Sequence, residues 1–224
     1  MAEKPVFGYW NIRARGDPGR LLLRHLGIDF EDKRYGEAEH LPTWSEDKPN
    51  LGIQFPNLPY FKHGDVFHSE SIPIMRSICR IFKPEYLGRN EVEAARADAL
   101  GQCLHDGLFK WASPYMFAED YKTKMEEGKA KAAEWLQSFA DAMGDNAFLA
   151  GNDGPTYADF QISFVVLVME KYDAATVAAN EKVAAWWTRF KALPNVTEAL
   201  AIQEEERLFP GFCHWMKDNY PQYN

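Results

Sequence analysis

The feature that most constrains this 224-residue chain is a change of texture just after Lys83-Pro84. Before it, short apolar runs alternate with a helical period; from Glu91 onward only helical patterns occur. Residues 5–10 read as a short buried strand. Asp17-Pro18 then signals a helix start, GRLLLRHLG continues it and Gly27 stops it. Residues 30–35 alternate apolar and charged side chains, as a second strand would. A polar loop with Pro42 and Pro49 follows. Next, 58–61 and 66–68 flank the turn His63-Gly64-Asp65 as a hairpin. Residues 69–82 read as a helix, with Pro73 tolerated in its first turn. Further helices are predicted over 91–116, 121–143, 157–171, 178–192 and 196–206, broken at 151–155 and at Pro194.

The order βαβ, loop, ββα is the connectivity of a thioredoxin-like α/β domain, here expected over 1–85. An all-helical domain is expected over 91–224. Seven tryptophans and an aromatic content of 14% point to flat apolar surfaces as well as core. A formal charge of -8 argues against nucleic acid as a partner, although a small anionic ligand needs only a local pair of cations. The longest apolar stretch, 162–169, is too short to span a bilayer. The first residues carry no secretory pattern. The three cysteines, Cys79, Cys103 and Cys213, are far apart and form no CxxC or metal-ligand spacing. A cytoplasmic protein without a membrane anchor or metal is therefore expected.

Thioredoxin-like order invites redox chemistry, but the cysteine pair it needs is missing. Tyr9, followed by Trp10, stands at the end of the first strand. Its hydroxyl can donate a hydrogen bond to an anion such as a thiolate. Lowering a thiol pKa from about 8.5 by about two units takes roughly 2.7 kcal/mol. One hydrogen bond to a charged group supplies about 1.5–3 kcal/mol. The alternative for Tyr9 is an aromatic packed under the first helix. Ser69-Glu70-Ser71 opens a helix whose N–H groups could hold a carboxylate while Glu70 attracts an ammonium; either serine could instead be a plain N-cap. Trp44 and Lys48, at i and i+4, face one way in a helical turn and could clamp a second carboxylate, or form an exposed loop with one anchoring tryptophan. Asn57-Leu58-Pro59 is an X-Pro turn compatible with a cis peptide, which would expose the Leu58 backbone to an extended peptide. Thr156-x-x-Asp159 has capping-box spacing, so Asp159 is assigned to folding.

Together GYWNIR, RLLL, W-x3-K-x2-LGIQFPNLPYF and the helix-opening SES resemble mu-class glutathione transferases. R-x-D-x7-D and GNDGPTYADF continue the likeness downstream. The resemblance implies a homodimeric glutathione transferase fold and a detoxifying conjugation of glutathione, a co-substrate, to hydrophobic electrophiles. It implies that Tyr9 stabilises the thiolate and that Trp10, Trp44 and Lys48 contact the tripeptide. It implies that Asn57 and Leu58 precede a cis-Pro59, that Glu70 and Ser71 hold the γ-glutamyl end, and that Asp106 reaches that end across a dimer. Phe55 corresponds to an aromatic key for the partner subunit, with Arg76, Arg80 and Asp98 as interface charges. The apolar second-substrate site expected between the domains draws on Trp10, Tyr115, Met116 and the tail residues Phe209, Phe212 and Trp215. Departures are a short loop between Tyr35 and Trp44, as in helminth members, Leu41 in place of an arginine, and Glu70 in place of glutamine. Met116, beside Tyr115, stands where a substrate-assisting tyrosine is expected.

Three rivals remain at this stage. A non-catalytic carrier or structural protein on this fold is disfavoured by the intact tyrosine. A thiol–disulfide oxidoreductase would need a cysteine near position 9. A glutathione-dependent isomerase or prostaglandin synthase would differ only in the shape of the apolar pocket.

Overall fold

The computed structural model describes residues 3–36, 41–204 and 206–223, the side chains of 104–106 and 223 excepted. The chain divides into two compact units. One is Met1–Pro84 with Pro194–Arg207, the other Glu85–Leu193 with Leu208–Asn224.

The first unit holds β1 (Val6–Trp10), α1 (Asp17–His25), β2 (Glu31–Tyr35), α2 (Trp44–Asp47), β3 (Tyr60–His63), β4 (Val66–Ser69) and α3 (Ser71–Phe82). From far along the chain, α9 (Val196–Ile202) packs on α1. The sheet order is β2-β1-β3-β4, with β1 parallel to β2 and antiparallel to β3, which is antiparallel to β4. This is the thioredoxin-like arrangement. Phe7, Leu21, Leu22, Leu23, Phe61 and Ile78 form its core. Gly27, at φ 67°, ends α1 as expected of a glycine that takes the left-handed conformation.

The second unit is helical among its described residues: α4 (Glu91–Ala112), α5 (Met125–Met143), α6 (Tyr157–Tyr172), α7 (Ala174–Ala179), α8 (Glu181–Lys191) and α10 (His214–Asn219). Helix α6 is buried on nearly every side, as its apolar run requires. The helix expected over 91–116 instead ends at Ala112 and passes into a π-helical turn, Ser113–Phe117. The helix expected over 178–192 is two helices, because Asp173 caps α7 by accepting from Thr176 and Asn180 caps α8 by accepting from Val183. The expected Thr156–Asp159 capping box is present. The Asp159 carboxylate accepts from Thr156 N–H (2.8 Å) and hydroxyl (3.2 Å), Leu149 N–H (3.0 Å) and Trp186 Nε1 (2.9 Å). Burial pushes its pKa up, and these donors pull it down. No described helix is long and apolar enough to cross a membrane.

Candidate functional site

The β1–β3 ladder ends at Gly8 opposite Tyr60, and the β3–β4 ladder at Tyr60 opposite Ser69. Tyr9, Pro59 and Glu70 are each the next residue in the chain beyond these ladder ends. The Leu58–Pro59 peptide is cis. The two ladders thus bring side by side residues up to 61 positions apart in sequence, Gly8 and Ser69 flanking Tyr60.

Tyr9 is only 5% exposed. The Arg15 backbone N–H donates to its oxygen at 3.2 Å. Burial pushes the phenol pKa up, opposed by that N–H and by the positive charges of Arg15 and Arg20. At neutral pH the hydroxyl keeps its proton, so it acts as a donor and not as a phenolate base. An oxygen that already accepts a hydrogen bond donates more strongly. The ring packs on Gly16, where a Cβ would lie 2.4 Å from Tyr9 Cδ1; only glycine permits that approach. Arg20, fully buried, donates to Asp32 (2.8 Å) and to the carbonyls of Ile12 (2.7 Å) and Trp10 (3.1 Å). Its guanidinium sits 5.7 Å from the Tyr9 ring centroid. Sequence reasoning missed Arg15, Gly16 and Arg20. A basic residue between two small ones, in a turn from strand to helix, was the available signal.

At the start of α3 the capping expectation is corrected. The N-cap is Glu70 and no side chain caps the helix. Ser71 is the first helical residue, and the Ser69 hydroxyl donates to the Phe55 carbonyl (3.0 Å). Glu70 adopts φ 78°, ψ 121°, a left-handed conformation that strains a residue with a side chain. Asn57 Nδ2 donates to its carboxylate at 3.4 Å. Trp44 is half-buried against Tyr35 (ring centroids 5.4 Å apart) and Tyr60 (6.5 Å). The Lys48 N–H donates to the Trp44 carbonyl, so the i and i+4 helical relation between the two residues holds, and Lys48 is exposed. Leu41 is half-buried.

Family models for the glutathione S-transferase N-terminal domain and C-terminal domain match residues 5–80 and 104–194. A glutathione S-transferase of Tyrophagus putrescentiae is 32% identical over 213 residues, covering 94% of this chain and 95% of that one. The chain belongs to the glutathione S-transferase family. The class-mu 26 kDa isozyme of Schistosoma japonicum is 31% identical over 196 residues, 88% of either chain. The crystal structure of the glutathione S-transferase Blo t 8 superposes with a TM-score of 0.78 at 26% identity, over 93% of this chain and 98% of that one. This protein is thus a glutathione transferase, an enzyme that joins glutathione to hydrophobic electrophiles.

Elsewhere in the transferase, none of the three cysteines forms a disulfide. Burial raises the Cys213 thiol to about 11, far from a reactive range. Trp10, at the end of β1, is exposed. In the second unit Met116 and Phe209 are fully buried, and the Tyr115 hydroxyl donates to Glu127 (3.0 Å). Trp215 is buried, whereas Phe212 is 65% exposed and its ring lies 5.6 Å from that of Phe117. Phe55 is 79% exposed, at φ 59°. On α3, Arg76 is half-buried and Arg80 exposed. The Asp98 carboxylate accepts from the Tyr157 hydroxyl (2.6 Å). Asp106 lies on α4, with its side chain outside the described residues.

Proposed function

We propose that Tyr9 is the thiolate-stabilising residue of this transferase, its hydroxyl donating to the sulfur of glutathione before the sulfur attacks an electrophilic carbon. The observation that carries this reading is the Arg15 N–H on the Tyr9 oxygen, which orients the O–H and strengthens it as a donor. The tripeptide would run along the end of the sheet. Its cysteinyl backbone would pair with Leu58, beside Asn57 and the cis-Pro59. Its γ-glutamyl carboxylate would meet the uncapped start of α3 at Ser71, and its ammonium Glu70. Its glycyl carboxylate would reach Trp44 Nε1 and Lys48. The strain held at Glu70 supports a binding role, since such conformations persist where surrounding contacts enforce them.

Trp10 on the first unit offers apolar surface to an electrophile. On the second unit, Tyr115 and the exposed Phe212 beside Phe117 do the same, while the buried Met116 and Phe209 would act through those neighbours. A homodimer is proposed, with the 79%-exposed Phe55 inserting into the partner subunit. Arg76, Arg80, Asp98 and Asp106 would face the partner subunit, and the cytoplasm is the proposed compartment. Tyr9→Phe should cut turnover of a chloronitrobenzene at neutral pH by about tenfold or more while glutathione affinity changes little. Equal turnover by the variant would remove Tyr9 from the mechanism.

A further inference from the structure

The turn between β1 and α1 is held from an unexpected quarter. Arg13, Asp17 and Gln203 are all buried, although polar. Arg13 Nε donates to the Asp17 carboxylate at 2.6 Å, and Gln203 Nε2 donates to the same oxygen at 2.9 Å. Arg13 Nη1 donates to the Gln203 carbonyl at 3.1 Å, and the Arg13 N–H to the Arg207 carbonyl at 2.8 Å. Gly16 and Asp17 N–H both return to the Arg13 carbonyl at 2.9 Å. Inside this frame Ala14 stands at φ 33°, a conformation that an alanine holds only where its surroundings impose it. Ala14 immediately precedes Arg15, whose N–H meets the Tyr9 oxygen.

We infer that Arg13, Asp17 and Gln203 are positioning residues for catalysis, keeping the turn wound so that the Arg15 N–H stays on the Tyr9 oxygen. This inference rests on the reading of Tyr9 given above. It assigns a role in the chemistry to the segment after α9, far from β1 in sequence. Arg13 reaches the Asp17 carboxylate through Nε alone, while Arg13 Nη2 and Asp17 Oδ2 have no partner among the described residues. This buried pair thus depends on the few donors it has, and a vacated partner is costly when no water can replace it. Removing the Gln203 amide leaves the Asp17 carboxylate held by fewer donors and lets Ala14 relax. The Arg15 N–H then drifts off the phenol.

The test compares wild type, Gln203→Met, Arg13→Lys, Tyr9→Phe and Val196→Ala. Val196 is buried in α9 and touches neither Asp17 nor Tyr9 in any hydrogen bond, so its variant loosens the segment only. The readout is the apparent pKa of the bound glutathione thiol, from kcat/KM for a chloronitrobenzene against pH. Gln203→Met and Arg13→Lys should each raise it by roughly half to one unit, a three- to tenfold loss of thiolate below the pKa. Val196→Ala should lower thermal stability without moving the pKa. Wild-type values in both Gln203→Met and Arg13→Lys, with a shift in Tyr9→Phe, would overturn the positioning role and leave Tyr9 standing. A shift in Val196→Ala equal to that in Gln203→Met would overturn it as well, by showing general loosening. No shift in Tyr9→Phe would instead fell the reading of Tyr9 itself.

Discussion

Gly16→Ala adds a single methyl group where the Tyr9 ring leaves no room for one. Gly16 has φ -83° and ψ -23°, which alanine adopts without strain, so the backbone gives no reason to expect harm. By chain entropy alone the change should even stabilise the protein by about 0.4–1 kcal/mol. The added Cβ, however, would lie 2.4 Å from Tyr9 Cδ1, 2.8 Å from Cγ and 3.0 Å from Arg20 Nη1. Ordinary carbon contacts are about 3.5–4.0 Å, so the ring must retreat by roughly 1 Å. The backbone of β1 is fixed by ladders on both sides at Gly8, so the displacement falls on the side chain and its hydroxyl. A misplacement of that size costs about 10²-fold in rate, near 2.7 kcal/mol of barrier. Overpacking should add a loss of about 1–3 kcal/mol in stability. Steady-state kinetics with saturating glutathione should show kcat falling, with KM for glutathione little altered. A kcat within twofold of wild type would refute the steric argument and with it the placement of the Tyr9 ring.

Three further outcomes follow from the same structure. Asp159→Ala removes a helix cap worth about 0.5–2 kcal/mol and strands the Leu149 and Trp186 donors at about 1–3 kcal/mol each. Calorimetry should show the melting temperature falling by roughly 6 °C or more. His25, buried with its Nδ1 on the Pro194 carbonyl at 2.7 Å, has its pKa lowered by burial. Its stability contribution is intact above the unfolded value of about 6.5 and is lost as pH falls below it, because the unfolded chain binds the proton first. Urea denaturation from pH 7.5 to 5 should show that loss, and His25→Gln should flatten it. Glu70→Gly relieves the strain at φ 78° and should raise thermal stability by about 1 kcal/mol while weakening glutathione binding measured by calorimetry.

The parts of this transferase that are legible in sequence are those written in local chemistry. Pro18 and Gly27 bracket α1, the glycine turn marks the β3–β4 hairpin, and Thr156 with Asp159 spells out its own cap. The tyrosine at the end of β1 and the run around Pro59 were legible as pieces, and strand register sets their neighbours Gly8 and Tyr60 opposite each other. What sequence did not yield is tertiary. Nothing near Gln203 says that its amide belongs to Asp17, 186 positions away. The left-handed Ala14 breaks the local preference for glycine, and a buried frame compels it. At the helix opening, two serines fit the capping rule and neither obeys it, because one is drawn to the Phe55 carbonyl and the strained Glu70 occupies the cap position. The π-helical turn at Ser113–Phe117 likewise follows from no residue in it alone, yet it sets which of Tyr115, Met116 and Phe117 is buried.

In the mechanism proposed above, one tyrosine hydroxyl lowers the pKa of bound glutathione. The most direct test is an ultraviolet titration of the thiolate absorbance of glutathione bound to wild type and to Tyr9→Phe, without any electrophile. Wild type should show a midpoint about two units below that of a free thiol, near pH 6.5, and the variant one returned to about 8.5. The same low midpoint in both proteins would contradict the mechanism.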